Sequence, residues 1–202
     1  MNSPYRETEV KLYTPDLELM QQRLEASGAK IIAPRVYERN MRYENADKTL
    51  APRGIVLRLR EDTRVRLTYK EPGTVDRGVV SRQELEVEIG DYATMEAILG
   101  KLGFYPAMMY EKYRTTYKLM HTEIVLDELP YGNFTEIEGD FDAIDNVMEE
   151  LRLDSYKRYT ASYVRLFDYV CYNLRLNLQN LTFNNFDGIH VPEAAFNPPP
   201  ER

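Results

Sequence analysis

Glu7-Thr8-Glu9-Val10-Lys11 decides how the rest of the chain is read. Three ionisable side chains stand at alternate positions. In an extended strand, alternate side chains share a face, so Glu7, Glu9 and Lys11 point one way and Thr8, Val10 and Leu12 the other. One such strand is ordinarily a solvated face. The pattern recurs, however, in Arg58 and Arg60, in Glu84, Glu86 and Glu88, and in Glu136 and Glu138. The repetition needs a common cause.

Working outward, the same alternation marks the other strands. Ile55, Leu57 and Leu59 oppose Arg58 and Arg60; Val65, Leu67 and Tyr69 oppose Arg66, Thr68 and Lys70. The short Glu61-Asp62 connection predicts an antiparallel hairpin. Leu85, Val87 and Ile89 oppose Arg82, Glu84, Glu86 and Glu88. Residues 104–119 read as a long strand carrying Lys112 and Arg114, and residues 121–126 as another ending at Asp127. A turn over 130–133 then leads into Phe134-Thr135-Glu136-Ile137-Glu138. Residues 30–43 read as one or two extended pieces around Pro34, with loops over 44–54 and 72–78.

Helical spacing appears in four places. It runs from Leu17 through Met20 and Leu24 to a stop at Gly28, and from an Asp91 cap through Met95 and Leu99 to Gly103. It returns from Phe141 to Leu151 and from Thr160 to about Leu174. The last helix is rich in tyrosine and is read as packing or as a cap on one end of the strands. Residues 177–185 read as a helix end or a loop, and Asn197-Pro198-Pro199-Pro200 as a flexible tail.

Composition bounds the answer. At 202 residues the chain suits one domain over 1–175, followed by an extension over 176–202. A net charge of −7 argues against a general nucleic-acid binder. Cys171 is the only cysteine, which excludes an intrachain disulfide and fits a reducing compartment. With His121 and His190 the only histidines, a metal here would be a hard ion on carboxylates rather than zinc on Cys and His. The segment 1–6 lacks a signal-peptide pattern, and no apolar run approaches the roughly 18–20 residues of a membrane helix. A soluble, cytoplasmic protein without membrane association is therefore expected.

The charged faces are segregated by sign. Cations come in blocks (Arg58, Arg60, Arg66, Lys70, Lys112, Arg114), and carboxylates in others (Glu7, Glu9, Glu84, Glu86, Glu88, Asp127, Glu136, Glu138). A solvated sheet mixes signs, because like charges along one strand repel. Segregation suits an α+β fold in which the strands close into a barrel with a polar lumen and helices packed outside. Acidic clusters in such a lumen would hold a divalent ion such as Mg²⁺ or Mn²⁺, and basic clusters would hold phosphate oxygens.

These residues resemble the CYTH superfamily, the triphosphate tunnel metalloenzymes. Glu7-x-Glu9-x-Lys11 is similar to its ExExK signature. Arg58-x-Arg60, Lys70, Glu84-x-Glu86-x-Glu88, Lys112-x-Arg114, Asp127 and Glu136-x-Glu138 follow in the family's order, over about residues 5–168. The resemblance implies an eight-stranded antiparallel tunnel and metal-dependent chemistry on triphosphates. It implies metal ligation by Glu7, Glu9, Glu86, Glu88, Asp127, Glu136 and Glu138. It implies phosphate binding by Lys11, Arg58, Arg60, Lys70, Lys112 and Arg114, and catalytic roles for Lys11, Glu84, Glu86 and Glu88. One stretch departs from the pattern: in Glu38-Arg39-Asn40-Met41-Arg42-Tyr43, Asn40 takes the usual acidic place and Arg42 replaces an aromatic.

Within that family the expected activity is metal-dependent hydrolysis of a small triphosphate, inorganic tripolyphosphate or a nucleoside triphosphate. The alternatives are a class IV adenylyl cyclase making cyclic AMP and pyrophosphate, and a non-enzymatic polyphosphate or nucleotide sensor. The absence of Trp disfavours thiamine triphosphate, and the acidic balance disfavours RNA. The apolar side of the Tyr-rich helix also leaves room for a homodimer.

Overall fold

The computed structural model describes residues 5–200. Residues 1–4 of the segment read for a signal peptide and residues 201–202 of the expected C-terminal extension lie outside the described residues. Nine strands and four α-helices follow one another in the order β1 (Arg6–Tyr13), α1 (Leu17–Ala26), β2 (Lys30–Asn45), β3 (Val56–Glu61), β4 (Val65–Lys70), β5 (Thr74–Asp76), β6 (Val79–Ile89), α2 (Tyr92–Lys101), β7 (Phe104–Leu119), β8 (Thr122–Leu129), β9 (Gly132–Glu138), α3 (Phe141–Glu150) and α4 (Tyr163–Leu174) among the described residues.

The sheet runs β1-β9-β8-β7-β2-β3-β4-β6, and a further β1–β6 pairing closes it into an eight-stranded antiparallel barrel. Closure sets Glu7 opposite Arg82 and Thr8 opposite Ser81. It leaves no free edge among the eight wall strands. The extra strand, β5, pairs only with β6. The segment 72–78, expected as a loop, thus contains a tight hairpin. Its two turn residues, Arg77 and Gly78, have φ of 50° and 78°, the left-handed pair that a two-residue hairpin turn requires. β2 is also longer than expected. Pro34 falls between the register shifts at Ala33 and Val36, where the ladder does not call on its missing N–H, so the strand continues through it.

The helices start where a side chain can accept from the first free amides. Asp16 accepts from Leu19 N at 2.9 Å, Asp91 from Thr94 N at 2.7 Å, and Asp140 from Ala143 N at 2.8 Å. Their apolar sides pack against the outer face of the barrel, because its inner face is polar. α1 and α3 bury Met20, Leu24, Ile144 and Met148 against Val10, Leu12, Ile124 and Ile137. α2 packs Leu99 against Tyr43 and Leu59. No helix among the described residues is long and apolar enough to cross a membrane.

α4 and the segment after it cover one end of the barrel. Leu181 joins the flank of β7, donating to Met109 O at 3.0 Å and accepting from Glu111 N at 2.9 Å. Phe186, Val191 and Phe196 then bury themselves with Tyr131, Phe134, Leu166 and Phe167. Asn197, the first residue of the stretch expected as a free tail, is anchored: Lys157 Nζ donates to its Oδ1 at 2.6 Å and Asn173 Nδ2 to its carbonyl at 2.9 Å.

Candidate functional site

The inward side chains surround a cavity of about 590 Å³, a volume usual for small-molecule sites. It follows from the alternation and the closure together. On β1 the inward phase is Glu7, Glu9 and Lys11; on β3 it is Arg58 and Arg60; on β7 it is Tyr110, Lys112 and Arg114. Glu38 and Arg42 enter from β2, Lys70 from β4, Arg82, Glu84 and Glu86 from β6, and Glu136 and Glu138 from β9.

Ion pairs tie nearly all of these groups together. Lys70 Nζ lies 2.9 Å from Glu7 and 2.6 Å from Glu84. Arg82 donates to Glu7 at 2.7 Å and to Glu9 at 3.3 Å. Lys11 reaches Glu136 at 2.8 Å. Arg60 contacts Glu38 at 3.3 Å and Glu86 at 3.2 Å. Arg66 pairs with Asp62 and, at 3.5 Å, with Glu86. Asp127 accepts from Lys112 at 2.9 Å, from Arg114 Nε at 2.7 Å and from the Tyr163 hydroxyl at 2.8 Å. Tyr163 comes from the first turn of α4, and Lys11 lies 4.6 Å from its ring centroid.

The titration behaviour follows from these neighbours. Burial alone raises the Glu7 and Glu136 carboxyls, but Lys70 and Arg82 beside the first, and Lys11 and Arg114 beside the second, outweigh it and hold both well below the ordinary carboxylate range. Glu38 is held down in the same way by Lys112, Arg114 and Arg60. Burial raises Glu9, opposed by Lys11 and reinforced by Glu136 and Glu7. Burial likewise raises Glu84 against the pull of Lys70.

Glu138 differs. It stands at an open mouth beside Glu123, its partner across the β8–β9 ladder, and no cation pairs with it among the described residues. Burial, together with Glu7, Glu123, Glu9 and Glu84, pushes its carboxyl up from 4.5 to about 7. This mouth therefore carries a surplus of hard oxygen donors, which is the chemistry a divalent cation needs. The donor set fits Mg²⁺ or Mn²⁺, with Glu7, Glu9 and Glu138 the groups that would hold it. As the side chains stand, no three acids among the described residues converge on one ion position; Glu7 is paired with Lys70 and Arg82, and Glu9 lies 3.8 Å from Lys11.

The raised Glu138 carboxyl has a measurable consequence in the metal-free protein. The folded state keeps the proton that the unfolded chain releases between pH 4.5 and about 7, so this group lowers stability as pH rises through that window. Glu138→Gln is expected to raise the melting temperature of metal-free protein at pH 8 and leave it unchanged at pH 4.5, as read from thermal melts at both values.

The expected site residues are mostly brought together. Two are placed elsewhere. Glu88, expected beside Glu84 and Glu86, lies at the rim with a side chain 58% exposed, 3.2 Å from Arg64. At Glu88, β6 is still paired with β4 opposite Arg66, but its ladder with β1 ends at Gln83 among the described residues, so this end of β6 is open on one side. Asp127 is fully buried behind Lys112 and Arg114 and does not line the cavity; it orients those cations. Sequence reasoning missed Glu38, Tyr110 and Tyr163 as lumen residues. Glu38, Asn40 and Arg42 do stand at alternate positions, and that phase was the available signal. Tyr110 accepts from Arg58 Nη1 at 2.9 Å, and only the docking of α4 could reveal Tyr163.

The CYTH domain profile matches residues 5–162. A Methanocaldococcus jannaschii protein, MJ0240, which carries a provisional adenylate cyclase name, is 31% identical over 150 residues, or 72% of this chain and 85% of its own. Among solved structures, the PH1819 protein of Pyrococcus horikoshii superposes with a TM-score of 0.67 at 26% identity, covering 80% of this chain and 97% of that one. A Vibrio parahaemolyticus protein, also provisionally named an adenylate cyclase, gives a TM-score of 0.69 at 18% identity over 82% of this chain and 99% of its own.

Proposed function

The chain belongs to the CYTH domain family, and from that premise we propose that it is a divalent-metal-dependent hydrolase of a small triphosphate, with inorganic tripolyphosphate the simplest substrate. The observation that carries this reading is one barrel cavity lined with Arg and Lys that also holds at its mouth two acids, Glu138 beside Glu123, with no cation partner among the described residues. Simple anion binding needs the cations alone; the acids make sense beside a metal.

In this reading Arg58, Arg60, Lys70, Lys112 and Arg114 grip phosphate oxygens, and Lys11 supports the chain near Glu136. A bound divalent ion supplies Lewis acidity toward phosphate oxygens. The buried Nε atoms of Arg58 and Arg60, unpartnered among the described residues, suit extra acceptor oxygens. Glu84, whose carboxyl burial raises and which contacts Lys70, is the best-placed group to accept a proton from the attacking water. Glu86 holds Arg60 and Arg66 in position.

The aromatic rings of β2 offer no face to the lumen, while Tyr110 and Tyr163 line it. Tyr43 packs outward under α2 with its hydroxyl 2.8 Å from Glu96, and Tyr37 turns outward to Glu111 at 2.8 Å. Neither offers a stacking face to the lumen. The provisional name of the Methanocaldococcus jannaschii relative favours a second reading, cyclisation of ATP. Purified protein with Mg²⁺ or Mn²⁺ is expected to release orthophosphate from tripolyphosphate. Cyclic AMP and pyrophosphate from ATP, with no orthophosphate from tripolyphosphate, would establish the cyclase instead; saturable binding without turnover under either metal would make the protein a sensor.

A further inference from the structure

The lumen cations are not equally neutralised. Lys11, Arg60, Arg66, Lys70, Arg82, Lys112 and Arg114 each have a carboxylate closer than 3.5 Å. Arg58 has one only at 3.7 Å, in Glu86. Arg42 has none within 4.0 Å among the described residues. Its one side-chain hydrogen bond among the described residues is a 3.4 Å contact to the Ile55 carbonyl.

Arg42 and Arg58 are direct partners across the β2–β3 ladder, and both line the cavity. They lie at the end opposite Glu138 and Glu123, where Val56, Ser162, Tyr163 and Val164 complete the wall. The first turn of α4 thus lines the same cavity, where its N-terminal end carries the positive end of the helix dipole. Other groups that bear on Arg42 are the Tyr110 hydroxyl, Asp168 of α4 and Glu44. Asp168 is itself drawn to Arg165 at 3.7 Å. Arg58 Nε is buried without a partner among the described residues. Burial and the neighbouring Arg58 lower the Arg42 pKa, which reflects a positive charge short of countercharge.

We propose that Arg42, with Arg58 and the first turn of α4, forms an inner anion subsite that takes an end phosphoryl group of the triphosphate chain. The proposal rests on the triphosphate reading of the cavity. The end groups of such a chain are its most highly charged, and a desolvated, under-neutralised pair of forks is where they gain most. Arg42 thereby sets the depth to which a phosphate chain is drawn.

The test is calorimetric titration of inorganic tripolyphosphate into metal-free wild type, Arg42→Gln, Arg42→Lys and Arg64→Gln, with thermal melts of each. Arg64 is a cation of the rim, paired with Glu88, and controls for loss of charge alone. Arg42→Gln is expected to weaken binding about 10- to 100-fold, with Arg42→Lys recovering part of the loss and Arg64→Gln within about twofold of wild type. The melting temperature of Arg42→Gln should not fall, because no ion pair is broken. Binding by Arg42→Gln within twofold of wild type, or equal weakening by Arg64→Gln, overturns the subsite while leaving the triphosphate reading intact. Failure of the wild type to bind tripolyphosphate defeats both.

Discussion

Glu9→Gln is expected to lower metal-dependent turnover by about 10²- to 10³-fold while the protein stays folded. Glu9 is buried between Arg82, at 3.3 Å, and Lys11, at 3.8 Å, with Glu7 and Glu136 nearby. Its carboxyl is already raised by burial, so a neutral amide of the same shape costs the fold little and can still accept from Arg82. What it removes is one of the negative oxygens the donor set offers a divalent ion. Orthophosphate release at saturating Mn²⁺ measures the loss, and calorimetric titration of Mn²⁺ without substrate should show weakened binding. Full activity with unchanged Mn²⁺ affinity would remove Glu9 from the metal-binding set.

Glu38→Leu is expected to destabilise the protein by about 3–5 kcal/mol. Glu38 is 3% exposed and lies among three cations: Arg60 at 3.3 Å, Lys112 at 3.6 Å and Arg114 at 4.0 Å. Removing the carboxylate leaves those charges buried with less countercharge. For a chain of this length the loss corresponds to roughly 6–20 °C in melting temperature. Tripolyphosphate should restore much of it, because phosphate oxygens can take the place of the missing carboxylate. The same group contributes a pH dependence: its carboxyl is held below the ordinary range, so its stabilisation is present at neutral pH and fades as pH falls below about 4.5. A melting temperature equal to wild type at pH 7 would mean that Glu38 does not hold the cation cluster together.

Much of the fold was legible because alternation in a strand is a local property. Glu7, Glu9 and Lys11 share a face for reasons internal to β1, and the same holds for Arg58 and Arg60. Helix starts were legible for a similar reason, since Asp91 accepts from an amide three residues on. Extrapolation along a strand failed where β6 loses its β1 partner: Glu88 keeps the inward phase of Glu86 but meets solvent and Arg64. Pro34 left open whether residues 30–43 form one strand or two; a register shift absorbs it, and the strand is one.

The sequence by itself determined which side chains share a face and which faces carry cations and acids. Only the tertiary structure decided which acid neutralises which cation. Closure of β1 onto β6 brings Glu7 to Lys70, 63 residues away, and to Arg82, 75 residues away. It leaves Glu138 without a cation and Arg42 without a carboxylate at opposite ends of the lumen, among the described residues. Coulomb attraction depends on distance through space, and that distance is set by barrel register and by the docking of α4, neither of which is encoded in any one strand.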